Sequence, residues 1–214
     1  MFPSSAVRDA LLDALSLIMP VACAGCARPD RSLCDSCRAL LVPTPVSRDL
    51  ASAVPCLTVL RYEAEVRTIV LAYKEHPRPG LARALAPAME SLLRSAPDNA
   101  EVIAVPQSRS AFRRRGFDPV DAVVRAAGYR PARVLRVAAS AAQKTLGVDE
   151  RAANRAGSMR SRRSLAGRRF VVVDDVLTTG ATLREAVRAV REAGGKVVFS
   201  GALAFTPRLF RHPL

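Results

Sequence analysis

From about residue 56 onward, two spacings of apolar residues alternate along the chain. Cys56–Arg61, Glu101–Val105, Arg133–Val137, Arg169–Asp174 and Lys196–Phe205 are short apolar or β-branched runs, the composition of strands covered on both faces. Between them lie stretches of helical spacing. In Glu63–Glu75, Val66, Ile69, Val70 and Tyr73 share one face. Pro79–Arg94 reads as a second helix, and Asp118 followed by Pro119 opens another as N-cap and first-turn residue. Ala181–Ala193 is a helix stopped by Gly194-Gly195. Ala138–Gly167 is polar, Arg-rich and weakly periodic, with a short helix expected near Val148–Ala156. Such alternation predicts an α/β fold, a mostly parallel sheet flanked by helices.

The first 55 residues follow a different pattern. In Ala6–Met19, Val7, Leu11, Leu12, Leu15 and Ile18 repeat at helical spacing, and Asp9 and Asp13 interrupt the apolar run. A secretory leader needs a basic start and an unbroken apolar centre, so a short amphipathic helix is expected instead. A cysteine-rich segment follows, then a Pro-rich joint at Pro43, Pro45 and Pro55. The expected organisation is a lead helix and cysteine knuckle over 1–45 and an α/β domain over 46–214.

Four of the five cysteines form two CxxC pairs, Cys23/Cys26 and Cys34/Cys37. Two such pairs bring four thiolates to one point and suit a structural zinc with no open position. Two disulfides or four free thiols are the alternatives; disulfides need an oxidising compartment. Cys56, inside an apolar run, is expected to be a small buried side chain.

Composition adds a strong charge bias. Lys+Arg number 33 against 19 Asp+Glu, a formal net charge of +14. That favours polyanions, although Lys occurs only at 74, 144 and 196, and so Arg-rich a usage also fits genomic base composition. No apolar run is long enough to span a membrane, and a cytoplasmic location is expected.

The candidate chemistry concentrates in Val171–Leu183. A β-branched strand ends in Asp174-Asp175, a loop of small residues follows, and a helix begins. In a parallel sheet ligands sit outside the carboxyl ends of the strands. The paired acids suit vicinal hydroxyls, but they repel one another and need a compensating partner, either hydroxyl donors or Mg²⁺. Thr178, Thr179 and Thr182 offer hydroxyls, Gly180 lets the backbone come close, and the helix N-terminus favours phosphate.

This stretch resembles the phosphoribosyl pyrophosphate (PRPP) motif of type I phosphoribosyltransferases. Further elements resemble the ComF family: the four-cysteine knuckle, Tyr73-Lys74, Val105-Pro106 with Arg109, Arg113-Arg114-Arg115-Gly116-Phe117, Gln143, Glu150-Arg151 and Asn154. The resemblance spans about residues 20–206. It implies a type I phosphoribosyltransferase-like fold, with Asp174 and Asp175 on the ribose 2′ and 3′ hydroxyls. The run Val176, Leu177, Thr178, Thr179, Gly180, Ala181 and Thr182 would surround the 5-phosphate. The loop after Val105, including Pro106, would hold pyrophosphate bridged by Mg²⁺, and residues 138–167 would close over the site. Lys74, Arg109, Arg113 and Arg115 are the candidate cations. Where the family continues Arg-Gly-Phe with Asn-Gln, this chain has Asp118-Pro119, so position 118 is assigned no ligand role.

Two functions follow. One is Mg²⁺-assisted phosphoribosyl transfer from PRPP to an unknown acceptor, with a role in DNA uptake that the ComF resemblance implies. The other is a non-catalytic accessory protein that binds single-stranded DNA with the same fold. No segment stands out as a reader of a nucleobase edge, so the sequence supports ligand binding further than catalysis.

Overall fold

The computed structural model describes residues 22–29, 31–50, 54–75, 78–138 and 157–207. The expected lead helix, the helix near 148–156, and Gln143, Glu150, Arg151 and Asn154 lie outside them. The elements in chain order are α1 (Asp35–Ala39), β1 (Val46–Arg48), β2 (Cys56–Arg61), α2 (Ala64–Glu75), α3 (Pro79–Leu93), β3 (Ala100–Ala104), α4 (Arg109–Arg115), α5 (Pro119–Ala126), β4 (Leu135–Val137), β5 (Met159–Ser161), β6 (Arg169–Leu177), α6 (Ala181–Glu192) and β7 (Lys196–Phe205).

The main sheet has the order β1-β2-β7-β6-β3. β2, β7, β6 and β3 are parallel, and only the edge strand β1 runs antiparallel. β6 lies inside the sheet between β7 and β3, and its near-continuous apolar sequence follows because helices cover both of its faces. Val171 and Val173 point to the layer of α2, α3 and α5, where Ile69, Leu85 and Val123 are buried. Phe170 and Val172 point to the opposite layer, against Val187 and Val190 of α6. The knuckle belongs to the first layer, with Leu33, Cys37 and Leu41 buried in the same cluster as Ile69.

Three expectations need correction. The strand predicted at 133–137 does not join the main sheet; its residues 135–137 pair antiparallel with β5 in a separate two-stranded ribbon. The strand β5 falls inside the polar stretch 138–167, where three residues of Met-Arg-Ser carry too little periodicity to read. Finally, Arg109–Arg115, to which the spacing of apolar residues assigns no element, is a helix. Ser108 caps it by accepting the Ala111 N–H, and Gly116 ends it in the left-handed region at φ 75.

Candidate functional site

β3 ends at Ala104, opposite Val173 of β6. β6 continues to Leu177, paired on its other side with β7, Asp174 opposite Ala202 and Val176 opposite Ala204. The two carboxylates therefore stand where β6 has outrun its neighbour β3. The strand is longer than the sequence indicated: Val176 and Leu177 belong to β6, and Leu177 is buried. The loop proper is Thr178–Gly180, with Thr178 and Thr179 exposed.

Each acid is fixed by the backbone that follows it. Asp174 Oδ1 accepts the Asp175 N–H at 2.8 Å, and Asp175 Oδ1 accepts the Val176 N–H at 2.6 Å. The cation that offsets their repulsion is Lys74: its Nζ lies 2.8 Å from Asp175 Oδ2, with both side chains mostly buried. Thus the protein itself supplies a counter-charge that the sequence left to ligand hydroxyls or Mg²⁺.

Gly180 precedes α6 with φ 72, a conformation L side chains rarely adopt. A Cβ there would stand 2.7 Å from Leu50 Cδ2. Arg184 Nη1 donates to the Thr179 carbonyl at 2.9 Å, tying the loop to the first turn of the helix. The arrangement is an exposed pair of threonines ahead of the N-terminus of a twelve-residue helix, suited to a phosphate.

Residues 73–75 at the end of α2 each reach a different element. The buried Tyr73 hydroxyl donates to Pro119 O at 2.7 Å, and its ring meets Phe117 edge-on at 5.8 Å. Burial, then the nearby carboxylates Asp118, Asp175 and Asp121, raise the Tyr73 phenol and keep it a donor. Lys74 reaches Asp175. Glu75 Oε1 lies 3.8 Å from Arg115, whose Nη1 donates to Gln107 Oε1 at 3.3 Å. Gln107 in turn donates to Phe117 O at 2.6 Å. The Arg-Gly-Phe element thus turns at Gly116 so that Arg115 and Phe117 both pack back on α2 and the post-β3 loop. Neither Gln107 nor Glu75 was singled out in the sequence; their one signal is proximity to Pro106 and Lys74.

Asp118 caps α5, accepting the N–H groups of Val120 and Asp121 at 3.1 Å each. This accounts for an acid at a position given no ligand role. Burial pushes its carboxyl upward against those two hydrogen bonds. Pro106, Arg109 and Arg113 line a cleft beside β3 that none of residues 174–182 borders.

In the knuckle, the Sγ atoms of Cys23, Cys26, Cys34 and Cys37 lie within 4.8 Å of one another, and all four are free thiols. Cys26 and Cys34 Sγ are 3.6 Å apart. Sulfurs around one tetrahedral zinc at about 2.3 Å stand roughly 3.8 Å apart, so the cluster fits that ion and not two disulfides. Burial opposes the Cys23 thiolate, but N–H groups of Cys34, Cys26 and Gly25 outweigh it and bring the thiol to about 6. Cys56 is fully buried, as expected, and burial raises its thiol to about 11.

The phosphoribosyl transferase domain family matches residues 112–210. DNA utilization protein YhgH of Escherichia coli O6:H1 is 28% identical over 195 residues, 82% of this chain and 85% of its own. Orotate phosphoribosyltransferases of Pyrobaculum calidifontis and Pyrobaculum aerophilum are 64% and 52% identical over 44 residues, 21% of this chain. The chain spans 22% of the length of each of those two relatives. Among solved structures, an adenine phosphoribosyltransferase is 16% identical, with 81% of this chain and 91% of that chain covered at a TM-score of 0.43. A phosphoribosyltransferase from Corynebacterium diphtheriae is 21% identical, with 79% and 81% covered at 0.41.

The mostly parallel sheet with flanking helices, together with the match over residues 112–210, is that of a type I phosphoribosyltransferase-like fold. With a four-cysteine cluster at its N-terminal side and its likeness to a DNA utilization protein over most of both chains, the chain is similar to ComF-type proteins. No helix among the described residues is long and apolar enough to cross a membrane.

Proposed function

We propose that this protein binds PRPP at the carboxyl end of β6 and transfers its phosphoribosyl group, with Mg²⁺, to an acceptor. The observation that carries this reading is the Asp174–Asp175 pair held by Lys74 directly before the Thr178–Gly180 loop and the N-terminus of α6. Asp174 and Asp175 accept hydrogen bonds from the ribose 2′ and 3′ hydroxyls. Open amides and the Thr178, Thr179 and Thr182 hydroxyls donate to the 5-phosphate.

Mg²⁺ bound with PRPP would supply positive charge to the departing pyrophosphate as the C1–O bond breaks. The protein's part is electrostatic and positional. When a ribose hydroxyl takes Asp175, Lys74 is released from it and turns to the pyrophosphate. Arg115, held by Gln107 and Glu75 beside the last turn of α2, adds positive charge. Tyr73, anchored on Pro119, holds the last turn of α2 so that Lys74 faces Asp175. The knuckle holds one structural Zn²⁺ through its four thiolates, and its buried residues support α2 from behind.

A role in DNA handling is the second reading. It is favoured by the likeness to a DNA utilization protein over most of both chains and by the +14 charge. In that reading the same fold serves a non-catalytic protein that binds single-stranded DNA and works with the DNA-uptake machinery in the cytoplasm. Release of labelled pyrophosphate from PRPP, measured with and without DNA, separates the two. Turnover lost in Asp174→Asn/Asp175→Asn supports the enzyme. No turnover, together with DNA affinity that falls steeply as salt rises, supports the accessory role.

A further inference from the structure

A basic cleft beside β3 borders none of residues 174–182. It has a volume of about 360 Å³ and sits between α4, the chain edge at Pro131–Leu135 and Arg162 just after β5. Arg109, Arg113, Arg133 and Arg162 line it. Its two acids are already engaged. Asp121 pairs with Arg125 at 2.6 Å and with Arg133 at 3.5 Å, while Asp118 caps α5. Arg109, Arg113 and Arg162 form no ion pair with a described residue.

We propose that this cleft is a second binding site, for a nucleotide. Three guanidinium groups converging on one cavity repel one another, and a phosphate relieves that repulsion with planar, bidentate hydrogen bonds. Phosphate alone leaves the rest of the lining unexplained. Phe112, on α4 between Arg109 and Arg113, is 50% exposed at the cleft, and Pro106, Ala132 and Leu135 give it an apolar wall. An aromatic face beside a cluster of arginines is the arrangement that stacks a base while holding its phosphate. The volume is that of a small-molecule site. Gln107 is the amide side chain nearest to serve as a base reader, and both its ends are occupied, by Phe117 O and by Arg115. The site therefore stacks any base without reading its edge. The shared ligand chemistry is a nucleoside 5′-phosphate, free or at the end of a single strand.

The test is direct binding to the full-length, zinc-replete protein, with AMP, UMP, adenosine and a 5′-phosphorylated single strand of about ten nucleotides as probes. AMP and UMP are expected to bind within about three-fold of one another, and adenosine at least about ten-fold more weakly. Arg162→Ala and Phe112→Ala, both outside the 174–182 loop, each weaken AMP about ten-fold, and Arg162→Lys recovers part of the loss. Saturating Mg²⁺-PRPP leaves AMP affinity unchanged, as does Asp174→Asn/Asp175→Asn. A single strand that binds more tightly than AMP identifies a nucleic-acid end as the source; equal affinities identify the free nucleotide. The proposal is overturned if AMP does not bind at millimolar concentration, if PRPP displaces it, if adenosine binds equally well, or if neither variant changes affinity. The AMP titration needs no PRPP, so a protein that binds AMP but not PRPP refutes the proposed function and leaves this site standing.

Discussion

Lys74 Nζ stands 2.8 Å from Asp175 Oδ2, bridging the last turn of α2 to the carboxyl end of β6. The ion pair joins two parts of the sequence a hundred residues apart and gives the adjacent acids a counter-charge. It also means that the ligand competes with Lys74 for Asp175. Lys74→Met is expected to lower Mg²⁺-PRPP affinity by at least about ten-fold, or ~1.4 kcal/mol, because the cation that follows the pyrophosphate is gone. Isothermal titration checks this; equal affinity in the variant would remove Lys74 from the site.

The Tyr73 hydroxyl is buried, and its partner is the Pro119 carbonyl. Tyr73→Phe leaves that carbonyl without its donor, at a cost of about 1–2 kcal/mol in unfolding free energy. If Tyr73 also aims Lys74, PRPP affinity falls by more than that loss of stability explains. A destabilised variant with unchanged affinity would limit Tyr73 to a structural role.

Gly180 is a poor site for a simple blocking substitution. Its φ of 72 and the 2.7 Å approach of Leu50 to any Cβ mean that Gly180→Val strains the backbone and displaces Leu50. The expected result is a loss of stability of at least about 1–2 kcal/mol, read by urea denaturation. Thr179→Val tests the phosphate loop with less disturbance, since Thr179 is exposed. It should weaken ribose 5-phosphate and PRPP by similar factors.

Glu185 is a buried acid outside the site. Its carboxylate accepts the Met159 N–H at 2.7 Å and pairs with Arg188, which also donates to Met159 O at 2.9 Å. The pair fastens the returning strand β5 to α6. Burial works against its ionised form, but Arg188 and the Met159 and Gly157 N–H groups outweigh it and hold the carboxyl below its usual range. A lowered carboxyl contributes stability that is present above the unfolded-state value, about 4.3, and is lost as pH falls through the folded one. Glu185→Gln should therefore cost about 2–3 kcal/mol at pH 7 and flatten the acid limb of the stability–pH curve. An unchanged acid limb would contradict it.

For the knuckle, one zinc per chain is expected in metal analysis of freshly purified, reduced protein. Chelation or Cys26→Ser should lower the melting temperature, because Leu33 and Leu41 of the knuckle share a core with α2 and α3. A reading of zero zinc, with an unchanged melting temperature after chelation, would remove the metal.

The parts of the fold legible in the sequence were those with strong local periodicity. The buried strand β6, the helices α2, α3 and α6 and the Asp118-Pro119 start of α5 all follow from spacing and capping chemistry, and the structure moves their ends by only a few residues. Arg109–Arg115 was hidden because it buries no residue at all, so it has no apolar stripe to reveal it. β1 and β5 were hidden because three residues cannot establish a period of two. At the site, adjacent acids ahead of a Thr-Gly loop were visible as chemistry, but their counter-ion was not. The Lys74–Asp175 contact is made by the order β2-β7-β6 of the sheet and by the helix over it, a relation no local window contains. Gln107 escaped for a related reason: its partners Arg115 and Phe117 lie eight and ten residues on and are brought to it by α4 and its end at Gly116.

The most direct test of the central claim is the melting temperature of the zinc-replete protein titrated with Mg²⁺-PRPP, set beside Asp174→Asn/Asp175→Asn. Ligand that binds only the folded chain must stabilise it, by about 2.7 kcal/mol at a hundred times the dissociation constant. A dose-dependent rise of several degrees in the natural protein, absent from the double variant, is the predicted result. No rise at millimolar PRPP, or an equal rise in both proteins, would contradict a phosphoribosyl site built on the end of β6.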